Sequence, residues 1–121
     1  MALTFHQSME KIHIIARFKI QAGKLQEFKI GAESCIAATK TESGALLYDW
    51  FIDENSLEVT VIETYQDSNA VLVHSVNVNQ SLSSLIAISD FSGEVFGNVS
   101  DELTGALKEM NITAIPFFKG I

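Results

Sequence analysis

An α+β fold, in which a sheet of antiparallel strands carries helices on one face, is predicted by three features of this 121-residue chain. Apolar residues alternate at period two in short runs, and recur every third or fourth position in the runs between them. The two periodicities follow the order β-α-β-β-α-β, with a further α-β pair at the end. A content of 47% hydrophobic and 19% charged residues supplies enough apolar surface to offset the entropy of ordering one domain.

The first strand is read from Glu10 to Ile20, with Ile12, Ile14, Ala16, Phe18 and Ile20 on one side and His13, Ile15, Arg17 and Lys19 on the other. Gln21-Ala22-Gly23-Lys24 breaks it. Leu25, Phe28, Ala32, Cys35, Ile36 and Thr39 then form the stripe of an amphipathic helix that stops before Gly44. The runs GALLYDWFID and SLEVTVIETY are two more strands, and the turn formers Asp53-Glu54-Asn55-Ser56 between them make a hairpin. Asp67-Ser68-Asn69 caps a second long helix, along which Ala70, His74, Val78, Leu82 and Leu85 line one side toward Ile88. Its many Val, Ser and Asn residues are mediocre helix formers, so it relies on packing, and the sequence leaves room for a break or kink near Asn77 to Gln80. Phe91 to Asn98 reads as a fourth strand. Ser100 then caps a short helix carrying Leu103, Ala106, Leu107 and Met110, and Ile112 to Phe118 reads as a last strand that Pro116 either places at an edge or cuts short.

This order is the ferredoxin-like, split β-α-β arrangement. Residues 1–9 read as an N-terminal arm, and 10–121 as one domain with a core of about 11–88 and an extension of about 91–121. The second strand is apolar on both sides, with Leu46, Tyr48, Trp50 and Ile52 on one and Leu47 and Phe51 on the other. Helices cover one face; the other calls for a second sheet, supplied most simply by an identical subunit, so a homodimer is expected.

The net charge is -7, and it is divided as +3 over residues 1–40 and -10 over residues 41–121. Such a surface repels phosphate backbones and anionic lipid, which argues against nucleic-acid and membrane partners. No run is long and apolar enough to span a bilayer, and the first residues lack the pattern of a secretion signal, so a cytoplasmic location is expected. The single cysteine, Cys35, and three histidines offer no clustered metal-ligand spacing.

Three pieces of the chain carry a resemblance. They are IARFKIQAGK, with Gly23 at the turn; Gly44-Ala45-Leu46-Leu47-Tyr48, a G-x-x-x-Y pattern; and Glu63-Thr64-Tyr65-Gln66-Asp67-Ser68-Asn69-Ala70-Val71-Leu72-Val73-His74, an E-x-[WY]-x-[DS]-x-x-A-x-x-x-H pattern. In this order they resemble the antibiotic biosynthesis monooxygenase family of dimeric α+β barrels, which includes quinol monooxygenases. The resemblance covers about Lys11 to Ile88. It implies oxidation of an electron-rich phenol, hydroquinone or polycyclic aromatic by O₂ with no cofactor, the substrate acting as its own reductant. That chemistry needs a base, a donor for the resulting anion and a dry cavity. The haem-degrading relatives place an Asn, a Trp and a His where this chain has Ala16, His74 and about Ser84, which disfavours haem cleavage.

Glu63 and His74 are the catalytic candidates. Glu63 shares its strand face with Leu57, Val59, Val61 and Tyr65, so alternation sends a carboxylate toward an apolar layer, where burial raises its pKa. The competing reading is a structural acid paired with a cation such as Arg17. His74 lies on an apolar helix stripe, as either a proton acceptor or a core residue that anchors helix to sheet. Tyr48, Trp50 and Tyr65 are the substrate-binding candidates, a flat aromatic wall with hydroxyl donors, against plain core packing. His13 and Arg17 are secondary, on the face assigned to the partner subunit; His6 falls in the N-terminal arm, and Cys35 reads as a small buried hydrophobe. Three functions compete: a cofactor-independent monooxygenase, a non-catalytic homodimer binding a small hydrophobic molecule, and an isomerase or decarboxylase of a lactone or polyketide.

Overall fold

The computed structural model describes residues 10–121, so the expected N-terminal arm and His6 lie outside the described residues. The elements are β1 (Ile12–Ile20), α1 (Leu25–Thr39), β2 (Ala45–Asp53), β3 (Glu58–Tyr65), α2 (Ser68–Asn77), α3 (Asn79–Ala87), β4 (Ser89–Phe96), α4 (Asp101–Leu107) and β5 (Ile112–Ile115). The sheet order is β2-β3-β1-β4-β5. The four core strands pair antiparallel, as the ferredoxin-like reading requires. The extension adds β5 parallel to β4, so the whole sheet is mixed. The intervening α4 is the crossover that a parallel pair needs. β5, at the sheet edge, ends at Ile115, short of the expected Phe118, because Pro116 has no N–H to give the ladder.

Local chemistry accounts for the joints. Gly23 turns the chain out of β1 at φ 80°, a conformation that a Cβ disfavours. The Asp53 side chain accepts hydrogen bonds from the Asn55 and Ser56 backbone at 3.0 and 3.3 Å, closing the β2–β3 hairpin. Leu57, expected on the strand face of Glu63, instead sits outside β3 in the left-handed region at φ 62°. Asp67 Oδ1 accepts from the Ala70 amide at 2.9 Å and Ser100 Oγ from that of Leu103 at 3.1 Å, so both expected caps form. The second long helix breaks at Val78, inside the expected interval, and continues as α3.

Two strand readings need correction. Leu46 was placed with Tyr48 and Trp50, but the pairing of β2 with β3 shifts register between Ala45 and Leu47, and Leu46 is exposed. A bulge opposes two residues to one, so simple alternation fails there. The fourth strand starts at Ser89, two residues before the expected Phe91, because Ser89 Oγ donates to the Leu85 carbonyl and the chain passes from helix to strand with no loop.

All of Ile12, Ile14, Ala16, Phe18 and Ile20 are buried beneath the helices. They divide between two clusters. One joins Ala16, Phe18 and Ile20 to Phe28, Cys35, Val59, Val61, Val78 and Leu85; the other joins Ile12 and Ile14 to Tyr65, Val71, Val95, Leu103 and Leu107. At Gly31 a Cβ would stand 2.5 Å from Leu85 Cδ2, so the missing side chain lets α1 and α3 close on one another. Among the described residues the opposite face of the sheet bears no helix, and Leu47, Phe51, Ile62 and Ile115 lie exposed on it.

Candidate active site

A cavity of about 70 Å³ lies at the seam of the two clusters. β1, β2 and β3 form its floor with Ile14, Ala16, Tyr48, Trp50, Val61 and Glu63; α2 brings Val71 and His74 from above. The remaining wall is the C-terminal extension, through Leu103, Ala106, Leu107, Met110 and Ile112. The helix of the extension therefore roofs the cavity while its strand widens the sheet. Ligand sites usually enclose roughly 300–1,000 Å³, so the cavity as it stands is smaller than a bicyclic molecule needs.

Four of the five candidates meet directly around His74. Its ring lies 5.0 Å from that of Tyr48, edge-on, and 5.1 Å from that of Tyr65. Its Nε2 is 3.9 Å from Glu63 Oε1, and the Tyr65 hydroxyl donates to the same oxygen at 2.6 Å. Trp50 is one strand position removed: it stacks on Phe18 at 5.8 Å, stands edge-on to Tyr48 at 5.7 Å, and its Nε1–H is buried without an acceptor among the described residues. Buried donors are normally satisfied, so a ligand oxygen would find one here.

The surroundings tune the acids. Burial pushes the Glu63 carboxyl up to about 7, opposed by the Tyr65 hydrogen bond and reinforced by the charge of Glu42. Burial holds His74 below its usual range, against the pull of Glu42. The Tyr48 and Tyr65 hydroxyls are raised, first by burial and then by the Glu63 charge, so both stay protonated donors. Burial also lifts Cys35 to about 11, which removes it as a thiolate at neutral pH.

Arg17 does not pair with Glu63. It points to the other face of the sheet and meets Glu94 at 2.6 Å, while His13 on the same face lies 3.0 Å from Thr64 Oγ1. The sequence reading missed Glu42. This residue, in the turn after α1, has a nearly buried side chain whose oxygens lie 3.1 and 3.2 Å from His74 Nδ1. Asn77 Nδ2 donates to the same carboxylate at 2.8 Å and to the Ala38 carbonyl at 2.9 Å. No periodicity marks a turn residue. The available signal was the spacing of His74 and Asn77, three apart on one helix, which gives them shared neighbours.

A model of antibiotic biosynthesis monooxygenases matches residues 11–77, more than half of the chain. The chain belongs to the antibiotic biosynthesis monooxygenase family. No curated protein matches it in sequence. Among solved structures, MupZ from Pseudomonas fluorescens is similar with a TM-score of 0.82 and 23% identity, over 93% of each chain. A conserved protein from Methanosarcina mazei Go1 is similar at 0.66 and 24%, over 75% of this chain and 95% of that one. A structure described as an antibiotic biosynthesis monooxygenase is similar at 0.65 and 19%, over 74% and 99%. These likenesses establish the fold of this family member. A match over 93% leaves too little remainder to omit the extension, so MupZ shares it in shape. No helix among the described residues is long and apolar enough to cross a membrane, and no three His, Cys, Asp or Glu side chains among them group as metal ligands.

Proposed function

We propose that this chain is an acid–base enzyme of the monooxygenase type its family is named for, acting as a homodimer on a small planar aromatic molecule. The observation that carries this is Glu63, a carboxylate that ionises near neutral pH inside an apolar cavity, with the imidazole of His74 beside it. Glu63 takes a proton from a phenol bound between Tyr48, Trp50 and Tyr65. The Trp50 Nε1–H and the tyrosine hydroxyls are the available donors to the phenolate, and the apolar walls keep it electron-rich. The anion then gives electrons to O₂. A phenol with a C–H para to its hydroxyl becomes the quinone; one oxygen atom enters the product and the other leaves as water. Nothing in this balance calls for a further reductant.

A second reading rests on the same value. A group that ionises near 7 is half protonated at neutral pH and returns a proton as readily as it removes one. That suits an isomerisation or ring closure without oxygen. Oxygen uptake with a panel of hydroquinones and naphthols tests the first reading, and product analysis under argon separates the two. Stimulated uptake, lost in Glu63→Gln, is expected. Turnover undiminished under argon would establish the second reading, and binding without turnover under air or argon would leave only a carrier.

A further inference from the structure

We infer that Glu42 is the positioning residue of this site: it holds His74 as the Nδ1–H tautomer and so turns a bare Nε2 toward Glu63 as the acceptor of the substrate's proton. The inference rests on the acid–base reading above. Both oxygens of Glu42 lie within 3.2 Å of Nδ1, and an ionised carboxylate only accepts, so the ring proton must sit on that nitrogen. The other nitrogen then carries a lone pair.

The carboxylate is itself fixed. Asn77 clamps it by donating to Oε2 at 2.8 Å while donating to the end of α1 at Ala38. Thr39 stands 3.5 Å from Nδ1 but spends its hydroxyl proton on the Cys35 carbonyl at 2.7 Å, so it gives Nδ1 no proton and its oxygen can only accept from a protonated Nδ1. The break of the helix at Val78 follows Asn77 directly, and the short helix α2 thereby supplies both the imidazole and the clamp. The ionisable groups around His74 are Glu42 from the α1–β2 turn, Cys35 on α1, Tyr48 on β2, and Glu63 and Tyr65 on β3. Of these, Glu42 alone touches Nδ1.

The proton path follows. A substrate proton moves to a Glu63 oxygen; as the side chains close the 3.9 Å gap it is shared with Nε2, the Glu42 charge offsetting the burial that makes the imidazole a weaker base. The imidazolium that results is paired with the carboxylate of Glu42, and no water is needed in the cavity.

Heteronuclear NMR of protein labelled with ¹⁵N-histidine reads the tautomer without any substrate. The parent is expected to show a protonated Nδ1 and a bare Nε2 at His74 at neutral pH. In Glu42→Ala the tautomer is expected to shift toward Nε2–H, with kcat down on the order of 10²-fold and KM little changed. Glu42→Gln keeps an acceptor but not the charge, so the Nδ1–H tautomer is expected to persist while the pH at which the ring gains its second proton falls. An unaltered tautomer in Glu42→Ala overturns the inference. If that variant does not fold, an unaltered titration of His74 in Glu42→Gln overturns it. Because these spectra need no turnover, an Nδ1–H tautomer in a protein inert toward every phenol would reject the proposed function and leave the role of Glu42 standing.

Discussion

On the proposed mechanism Glu63 joins stability to chemistry, because one proton serves both. Its carboxyl ionises at about 7 in the fold against an ordinary 4.5. Between those values the folded state keeps a proton that the unfolded chain has lost, so the stability linked to this group is present below pH 4.5 and falls away as pH rises to 7. Above that, the buried charge costs up to about 3 kcal/mol. Glu63→Gln retains an acceptor for the Tyr65 hydroxyl without the charge. It is expected to melt higher than the parent at pH 8, with the difference closing by pH 5; thermal melts across that range check this, and a difference independent of pH would contradict it. Turnover of the parent is expected to climb through pH 7 as the base ionises. Alternation on one strand was enough to direct Glu63 inward, and helical spacing did the same for His74. Glu42 was invisible because a turn residue acquires a neighbour only when two distant elements pack, and Leu46 misled because a bulge resets the alternation.

Among the elements, the β1–α1–β2–β3 half was the most legible, since β1 and β3 alternate regularly and its turns carry Gly23 and Asp53. The extension was readable as a helix and a strand but not as a roof, because its stripe of Leu103, Ala106, Leu107 and Met110 names an apolar side without naming what that side covers. Leu103 is 1% exposed and lines the cavity. Leu103→Ala is expected to lower stability by about 2–5 kcal/mol in denaturant melts and to enlarge the cavity. If α4 is the barrier to entry, this variant should be thermally stabilised by naphthols that leave the parent unmoved. Equal response in both would place entry elsewhere.

At the scale of the molecule, the bare sheet face is the surface on which the proposed homodimer would form. Leu47, Phe51, Ile62 and Ile115 are each at least 39% exposed there, and pairing two such faces buries a contiguous apolar band twice. The parent is expected to scatter light as a particle of twice 13.3 kDa. Ile62→Lys, at the centre of that face, is expected to give a monomer of unchanged circular dichroism, because the side chain faces away from the core. A mutant that still scatters as a dimer would exclude this face as the interface.

The acid–base pair and the roof come from different lengths of the same chain: Glu42, Glu63 and His74 fall inside residues 11–77, whereas Leu103, Ala106, Leu107 and Met110 lie wholly beyond them. Chemistry and admission can therefore diverge independently. Grafting a relative's segment after Phe96 onto this scaffold would exchange the roof and leave Glu63 and His74 where they stand.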